Sequence, residues 1–209
     1  MGYSLLKFLL SPLVKLIWIK RVNGLENIPK KGPVIIAANH SSYFDFICFI
    51  AVCPRKIFYL AAEKFYKSRF WRPLVRLTGQ IKVERQTGDK TEAVEKANSI
   101  LKRGDILGIY PEGTRSADNE IHKPFTGVAR FALKNKVSVV PVGIRGTFEV
   151  LPRQKRFPKL KKIVEINIGK SMDFSQYFGQ EEDKGVLNKI TNEIMNKIAD
   201  LSGKKAIKL

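Results

Sequence analysis

Histidine and cysteine are nearly absent, with two of each in 209 residues. So few ligand residues leave no basis for a zinc or other metal site, and none is expected. Cys48 and Cys53 do not form a C-x-x-C pair; set in an apolar segment, they are expected as free thiols of a reducing cytoplasm. Nucleophile and nucleotide motifs are missing too. There is no G-x-S-x-G elbow, and "IGKS" at 168–171 has Val164 where a P-loop needs its first glycine. No uncharged apolar run approaches the ~18 residues of a spanning helix. Acidic residues are also scarce, 19 against 38 basic ones, for a net charge of +19.

The remaining composition is that of a folded chain, 44% hydrophobic and 27% charged, of a size that buries a real core. Its positive field suits polyanions: nucleic acid, anionic lipid or an acidic carrier protein. A basic nucleic-acid-binding module is the remote alternative, and the chain carries no recognition motif for one.

The first twenty residues, "MGYSLLKFLLSPLVKLIWIK", have lysines breaking the apolar region and no small-residue cleavage site after it, unlike a secretory signal. As a helix they present a narrow polar stripe of Ser4, Lys7, Ser11 and Lys15, with leucine, phenylalanine, isoleucine and valine around the rest. A soluble core helix has one apolar face rather than an apolar circumference. The segment therefore reads as an amphipathic membrane-interface helix, lysines and Trp18 at headgroup level, divided or kinked at Pro12. The expected organisation is a membrane-interface helical segment over 1–22 and one catalytic domain over 23–209.

Beyond residue 22 the pattern is α/β. "GPVIIAAN", "IFYLAAE", "IKVER", "ILGIY", "VSVVPVGI" and "IVEINIG" read as strands. Helices are expected over 89–105, capped by Asp89 or Thr91 and stopped at Gly104, over 125–135, and at the C-terminus around Leu187, Ile190, Ile194, Ile198 and Leu201. Alternating strands and helices predict a mostly parallel open sheet flanked by helices. The run "RQKRFPKLKK" (153–162) holds six basic residues; it reads either as a solvated loop or as a contact surface for anionic headgroups or an acidic carrier.

Polar residues gather where strands end. His40 and Asp45 follow "VIIAAN". A helix starting near Ser41 or Ser42 puts Asp45 about one turn in, where its carboxylate can orient the His40 ring as a general base. A structural histidine beside a dipole-favoured acid fits the same residues. "YPEGTRS" (110–116) brings a turn, a hydroxyl and the Arg115 guanidinium together, a combination suited to a phosphate monoester. "GQIKVER" delivers Arg85 to a strand end, and Pro141 in "VVPVGIRGT" marks an edge or an irregularity.

Taken in order, "GLENIPKKGPVIIAANHSSYFD", "GQIKVER", "YPEGTRS" and "VVPVGI" resemble the four sequence blocks of the glycerolipid acyltransferases, most closely the bacterial 1-acyl-glycerol-3-phosphate type, over residues 23–152. The resemblance implies an acyltransferase that moves a fatty acyl group from a thioester to the sn-2 hydroxyl of lysophosphatidic acid. Another lysolipid or glycerol 3-phosphate is the alternative acceptor. It casts His40 as base and Asp45 as its orienting partner, without a covalent acyl-enzyme. Glu112, Gly113, Thr114, Arg115 and Arg85 become residues for the glycerol phosphate, while Pro141 belongs to the acyl site and the fold. Relatives often carry F-K-x-G after this loop, but here Phe125 is followed by Thr126, so Lys123 is the nearest substitute. His122 reads as a surface residue. No cofactor is implied beyond the co-substrate, an acyl carrier protein or coenzyme A thioester. The expected partners are membrane lipid, an anionic membrane surface and acyl carrier protein, at the cytoplasmic face of the cell membrane.

Overall fold

The structure, a computed structural model, describes residues 2–69, 71–84, 90–205 and 207. In chain order come α1 (Gly2–Ile17), β1 (Ile19–Asn23), β2 (Val34–Ala38), α2 (Phe44–Val52), β3 (Ile57–Ala62), α3 (Lys64–Lys67) and α4 (Trp71–Thr78). They are followed by β4 (Ile81–Val83), α5 (Thr91–Lys102), β5 (Ile106–Ile109), α6 (Gly127–Asn135), β6 (Val139–Arg145), α7 (Thr147–Val150), β7 (Val164–Ile168) and α8 (Lys184–Ser202).

Continuous runs of buried β-branched residues favour strands covered on both faces, and the strands form one open sheet in the order β1-β7-β6-β2-β5-β3-β4. Among the described strands only β6 and β7 pair antiparallel. The expected mostly parallel α/β sheet is therefore the fold. One core lies between the sheet and α5, α6 and α8, built on Leu101, Leu133, Ile194 and Met195. The other lies under α2, with Phe44, Cys48, Phe49 and Ile36. Both cysteines are free and buried.

Strand β2 feeds α2 on one face, and its neighbour β5 feeds α6 on the other. Adjacent strands whose connections leave to opposite faces open a crevice at their carboxyl ends, the usual ligand position in such sheets. Ala37 is in register with Ile109 and Ala38 with Val142, so Asn39 and Tyr110 emerge side by side there. Strand β7 is antiparallel to β6, and β1 is parallel to β7. Hence both begin at this same edge, which also receives the last residues of α1 and the long connection from α7 to β7.

Several expectations are corrected or narrowed. Residues Ile19–Asn23 are a strand of the sheet, so the first twenty-two residues are not one helical segment. Of the edge or irregularity expected at Pro141, it is the irregularity that holds: the residue lies in an interior strand, opposite Ala37. Its carbonyl accepts from Gly169 N (2.8 Å), so its N side faces the end of β7, where pairing skips a residue between Val142↔Ile168 and Val139↔Met172. A missing N–H is tolerated at such an irregularity. Helix α2 starts at Phe44, past both serines. For α5, the capping position is Lys90 rather than Thr91, and Asp89 lies outside the described residues.

Helix α1 is turned inside out. Tyr3, Ser11 and Val14 are buried against the protein, and Lys7 Nζ donates to the carbonyl of Cys53. Part of the polar stripe thus points inward, Lys7 is not at a headgroup position, and burial lowers its pKa. Leu5, Phe8, Leu9, Leu10, Leu13 and Leu16 all face outward, with Phe8 77% exposed. Trp18 lies past the helix end, its ring edge-on to Phe44 at 5.1 Å and its Nε1 donating to Lys159 O (2.8 Å). No helix among the described residues is long and apolar enough to cross a membrane.

Candidate active site

The turn after β2 is shaped by polar groups with nowhere to go but each other. Asn39 is fully buried; its amide donates to Ile144 O (2.9 Å) and accepts from Ile144 N (2.8 Å), fastening the end of β2 to β6. From that fixed point the chain delivers His40. Asp45, in the first turn of α2, reaches back so that its Oδ2 accepts from His40 Nδ1 (2.9 Å), Ser41 N (2.8 Å) and Ser42 N (2.8 Å). Three N–H donors thus converge on one buried oxygen. Its Oδ1 is buried without a hydrogen-bond partner among the described residues. In the tautomer whose Nδ1–H donates to Asp45, the ring keeps its lone pair on Nε2. The His40 side chain is 13% exposed and Asp45 fully covered, an arrangement in which the ring can take up a proton while its partner stays fixed.

Tyr110 stacks on the imidazole at 4.0 Å between centroids, 14° from parallel, and Tyr59 continues the stack at 5.4 Å. Tyr59 occupies the space above Gly108, where a Cβ would lie 2.3 Å from its ring; only glycine fits there. His40 is therefore held by its edge through Asp45 and by its face through Tyr110.

The loop after β5 clamps the same turn. Glu112 is 3% exposed, its Oε1 accepting from His40 N (2.8 Å) and Oε2 from His122 N (3.0 Å). Ser116 N donates to His40 O (2.8 Å). Both carboxylate oxygens serve the backbone, so Glu112 ties this loop to the His40 turn. Burial pushes its carboxyl up, against the two backbone N–H groups. Gly113 adopts φ +68°, where a Cβ would meet the Phe125 ring at 2.8 Å.

Arg115 lies with its guanidinium carbon 3.4 Å over the Tyr43 ring. Burial, opposed by Tyr43, lowers its pKa, and the nearby Arg153 adds to the lowering. Thr114 and Lys123 are exposed on the same loop, and Pro141 sits within the sheet. Arg85 lies outside the described residues. His122 is half-exposed, its ring bonded to Asp118 Oδ1 (2.8 Å).

Ser42 does not begin α2, but its Oγ accepts from Phe44 N (3.0 Å) and donates to Leu151 O (2.7 Å). Ser41 Oγ accepts from Lys204 Nζ (2.8 Å), which also donates to Asn119 Oδ1 (2.8 Å). Lys204 follows α8, far away in sequence. Burial lowers its pKa while Asp45 and Glu112 oppose that shift. Lys204, Asn39 and Tyr110 are site residues that motif reading misses. Tyr110 adjoins a motif, but nothing local distinguishes Lys204 among 38 basic residues.

A family model described as Acyltransferase matches residues 19–145. The 1-acyl-sn-glycerol-3-phosphate acyltransferase of Borreliella burgdorferi is 36% identical over 129 residues, covering 60% of this chain and 51% of that one. The Bacillus subtilis protein of the same name is 26% identical over 127 residues, 60% of this chain and 62% of that one. The match thus spans about half to three-fifths of these relatives. Among solved structures, the 1-acyl-sn-glycerophosphate (LPA) acyltransferase PlsC of Thermotoga maritima superimposes with a TM-score of 0.75. It is 22% identical, with 98% of this chain and 81% of that one covered, a likeness of fold.

Proposed function

The chain belongs to the Acyltransferase family, and on that premise we propose that it transfers a fatty acyl group from a thioester to the sn-2 hydroxyl of lysophosphatidic acid, giving phosphatidic acid. The observation carrying this reading is the His40–Asp45 pair, 2.9 Å apart, at the carboxyl edge of the sheet beside a loop with Arg115. The names of the relatives point to the same acceptor.

An alcohol is a weak nucleophile near neutral pH, so its proton must leave as it attacks. His40 Nε2 takes that proton, and Asp45 stabilises the imidazolium that results. The hydroxyl oxygen adds to the thioester carbonyl, and the tetrahedral intermediate collapses with departure of the thiolate. A thiol of pKa ~8.5 is a good leaving group, and the imidazolium returns the proton to it. No acyl-enzyme forms: Ser41 and Ser42 use their hydroxyls in holding the turn. The acceptor's phosphate binds Arg115, with Arg85, Thr114 and Lys123 as further residues of that subsite. Binding energy from this remote group positions the hydroxyl. The donor is an acyl carrier protein or coenzyme A thioester, with no other cofactor.

Acceptor and product are lipids, so the enzyme works as a peripheral protein at the cytoplasmic face of an anionic membrane. The outward leucines and Phe8 of α1 support that placement. The test is thiol release and phosphatidic acid formation from purified protein, an acyl thioester and lysophosphatidic acid. Product with lysophosphatidic acid and little with glycerol 3-phosphate or other lysolipids is expected. A preference for another acceptor contradicts the assignment.

A further inference from the structure

The connection between α7 and β7 combines two features that solvent alone does not explain. Its six cations, Arg153, Lys155, Arg156, Lys159, Lys161 and Lys162, are all exposed, and none is ion-paired among the described residues. Between them project Phe157, 83% exposed, and Leu160, 76% exposed. Isolated exposed apolar residues are ordinary, but a large pair inside a dense basic run combines both groups that a headgroup–acyl boundary accepts.

Position adds a second argument. The loop is pinned at its base by Lys159 N to Val150 O (2.8 Å). At one end Leu151 O takes the hydroxyl of Ser42, two residues from His40. At the other, Lys159 O takes the indole N–H of Trp18, at the end of α1. The loop thus meets the C-terminal end of α1 on one side and the His40 turn on the other. All three share one edge of the sheet.

We propose that residues 152–162 form a second lipid-contact surface, in which Phe157 and Leu160 enter an anionic bilayer, the cations meet its headgroups, and the His40 edge is turned toward the membrane. The proposal rests on the lipid-acceptor reading above. Charge complementarity and continuity with α1 favour a bilayer over an acidic protein, since a charged protein surface gives two bare apolar side chains no comparable environment.

The test compares full-length protein with a tip variant (Phe157→Ser, Leu160→Ser) and a charge variant (Lys155→Gln, Arg156→Gln, Lys159→Gln). Each is sedimented with phosphatidylcholine vesicles, with and without phosphatidylglycerol. Every changed side chain is exposed, so unaltered thermal melting is expected. The tip variant should lose roughly tenfold or more of its partitioning. The charge variant should lose roughly fivefold per charge, and only on anionic vesicles. Partitioning of the tip variant equal to wild type overturns the proposal. So does unchanged vesicle binding together with impaired turnover on acyl carrier protein thioesters, which assigns the loop to a protein partner. Transfer to a short-chain, dispersed lysophosphatidic acid without vesicles is a separate readout that the loop variants leave unchanged. Absence of that transfer in wild type contradicts the function, whereas unaltered vesicle binding contradicts the surface.

Discussion

Around His40, polar groups are gathered inward and matched: Asp45 takes three donors, Glu112 two, and Asn39 both gives and takes at Ile144. Along α1 the order is reversed, with Lys7 and Ser11 against the protein and Leu5, Phe8, Leu9, Leu13 and Leu16 in the open. A reacting ring needs a fixed orientation, and a dense set of short hydrogen bonds in a buried turn supplies it. The outward face of α1 has no such directionality, only apolar area, as the proposed lipid contact requires. The same chain therefore spends its polar contacts where geometry matters and leaves its apolar side chains where contact with lipid would cover them.

Changes at each region should fail in different ways. His40→Ala should cost about 10²- to 10⁴-fold in turnover with folding unaffected, measured by thioester consumption and melting temperature. Asp45→Asn should cost a comparable factor and also lower stability, because an amide cannot accept from three donors as a carboxylate does. An Asp45→Asn enzyme of normal activity would break the contrast at its polar end.

On α1, Phe8→Ser, Leu9→Ser and Leu16→Ser together should reduce vesicle partitioning by roughly tenfold or more per residue, with no loss of melting temperature. Val14→Asp, on the covered face, should instead destabilise the fold. A triple variant that melts earlier and still binds vesicles would show that the outward face is structural.

Lys204→Met should lower kcat about tenfold with little change in KM, since it loosens the Ser41 turn without contacting the acceptor. Lys204→Arg should recover part of that loss. A KM effect alone would make Lys204 a substrate ligand.

The smallest effect belongs to the rim. Asp118 is held at about 2 by the Ser116 hydroxyl first, then by Glu120 N and the His122 ring. A carboxyl depressed in the fold stabilises it above the ordinary value near 3.8 and stops doing so as pH falls towards 2. Between those values wild type should lose a small increment of stability that Asp118→Asn lacks from the outset, read by melting against pH.

Much of this was legible in the sequence. Central strands such as "VIIAA" announce themselves because burial on both faces demands unbroken apolar runs. His40, Asp45 and the "PEGTRS" loop stand out by spacing. Strand β1, "IKRVN", does not, because an edge strand shows exposed Lys20 and Arg21 and follows directly on an apolar helix. The apolar circumference of α1 was visible, yet which side faced the protein depended on the α2 surface against which it packs. The direction of the Glu112 carboxylate, and the arrival of Lys204 across the whole domain, are properties of tertiary closure that no local pattern records.

The central claim is that His40 activates the lipid hydroxyl for direct attack. It is tested most directly by mixing stoichiometric enzyme and acyl thioester without acceptor, then following thiol release and the intact mass of the protein. The account predicts no burst of thiol and an unmodified chain until lysophosphatidic acid is added, when thiol and phosphatidic acid appear together. A burst equal to the enzyme, with an acyl group covalently on the protein, would contradict it.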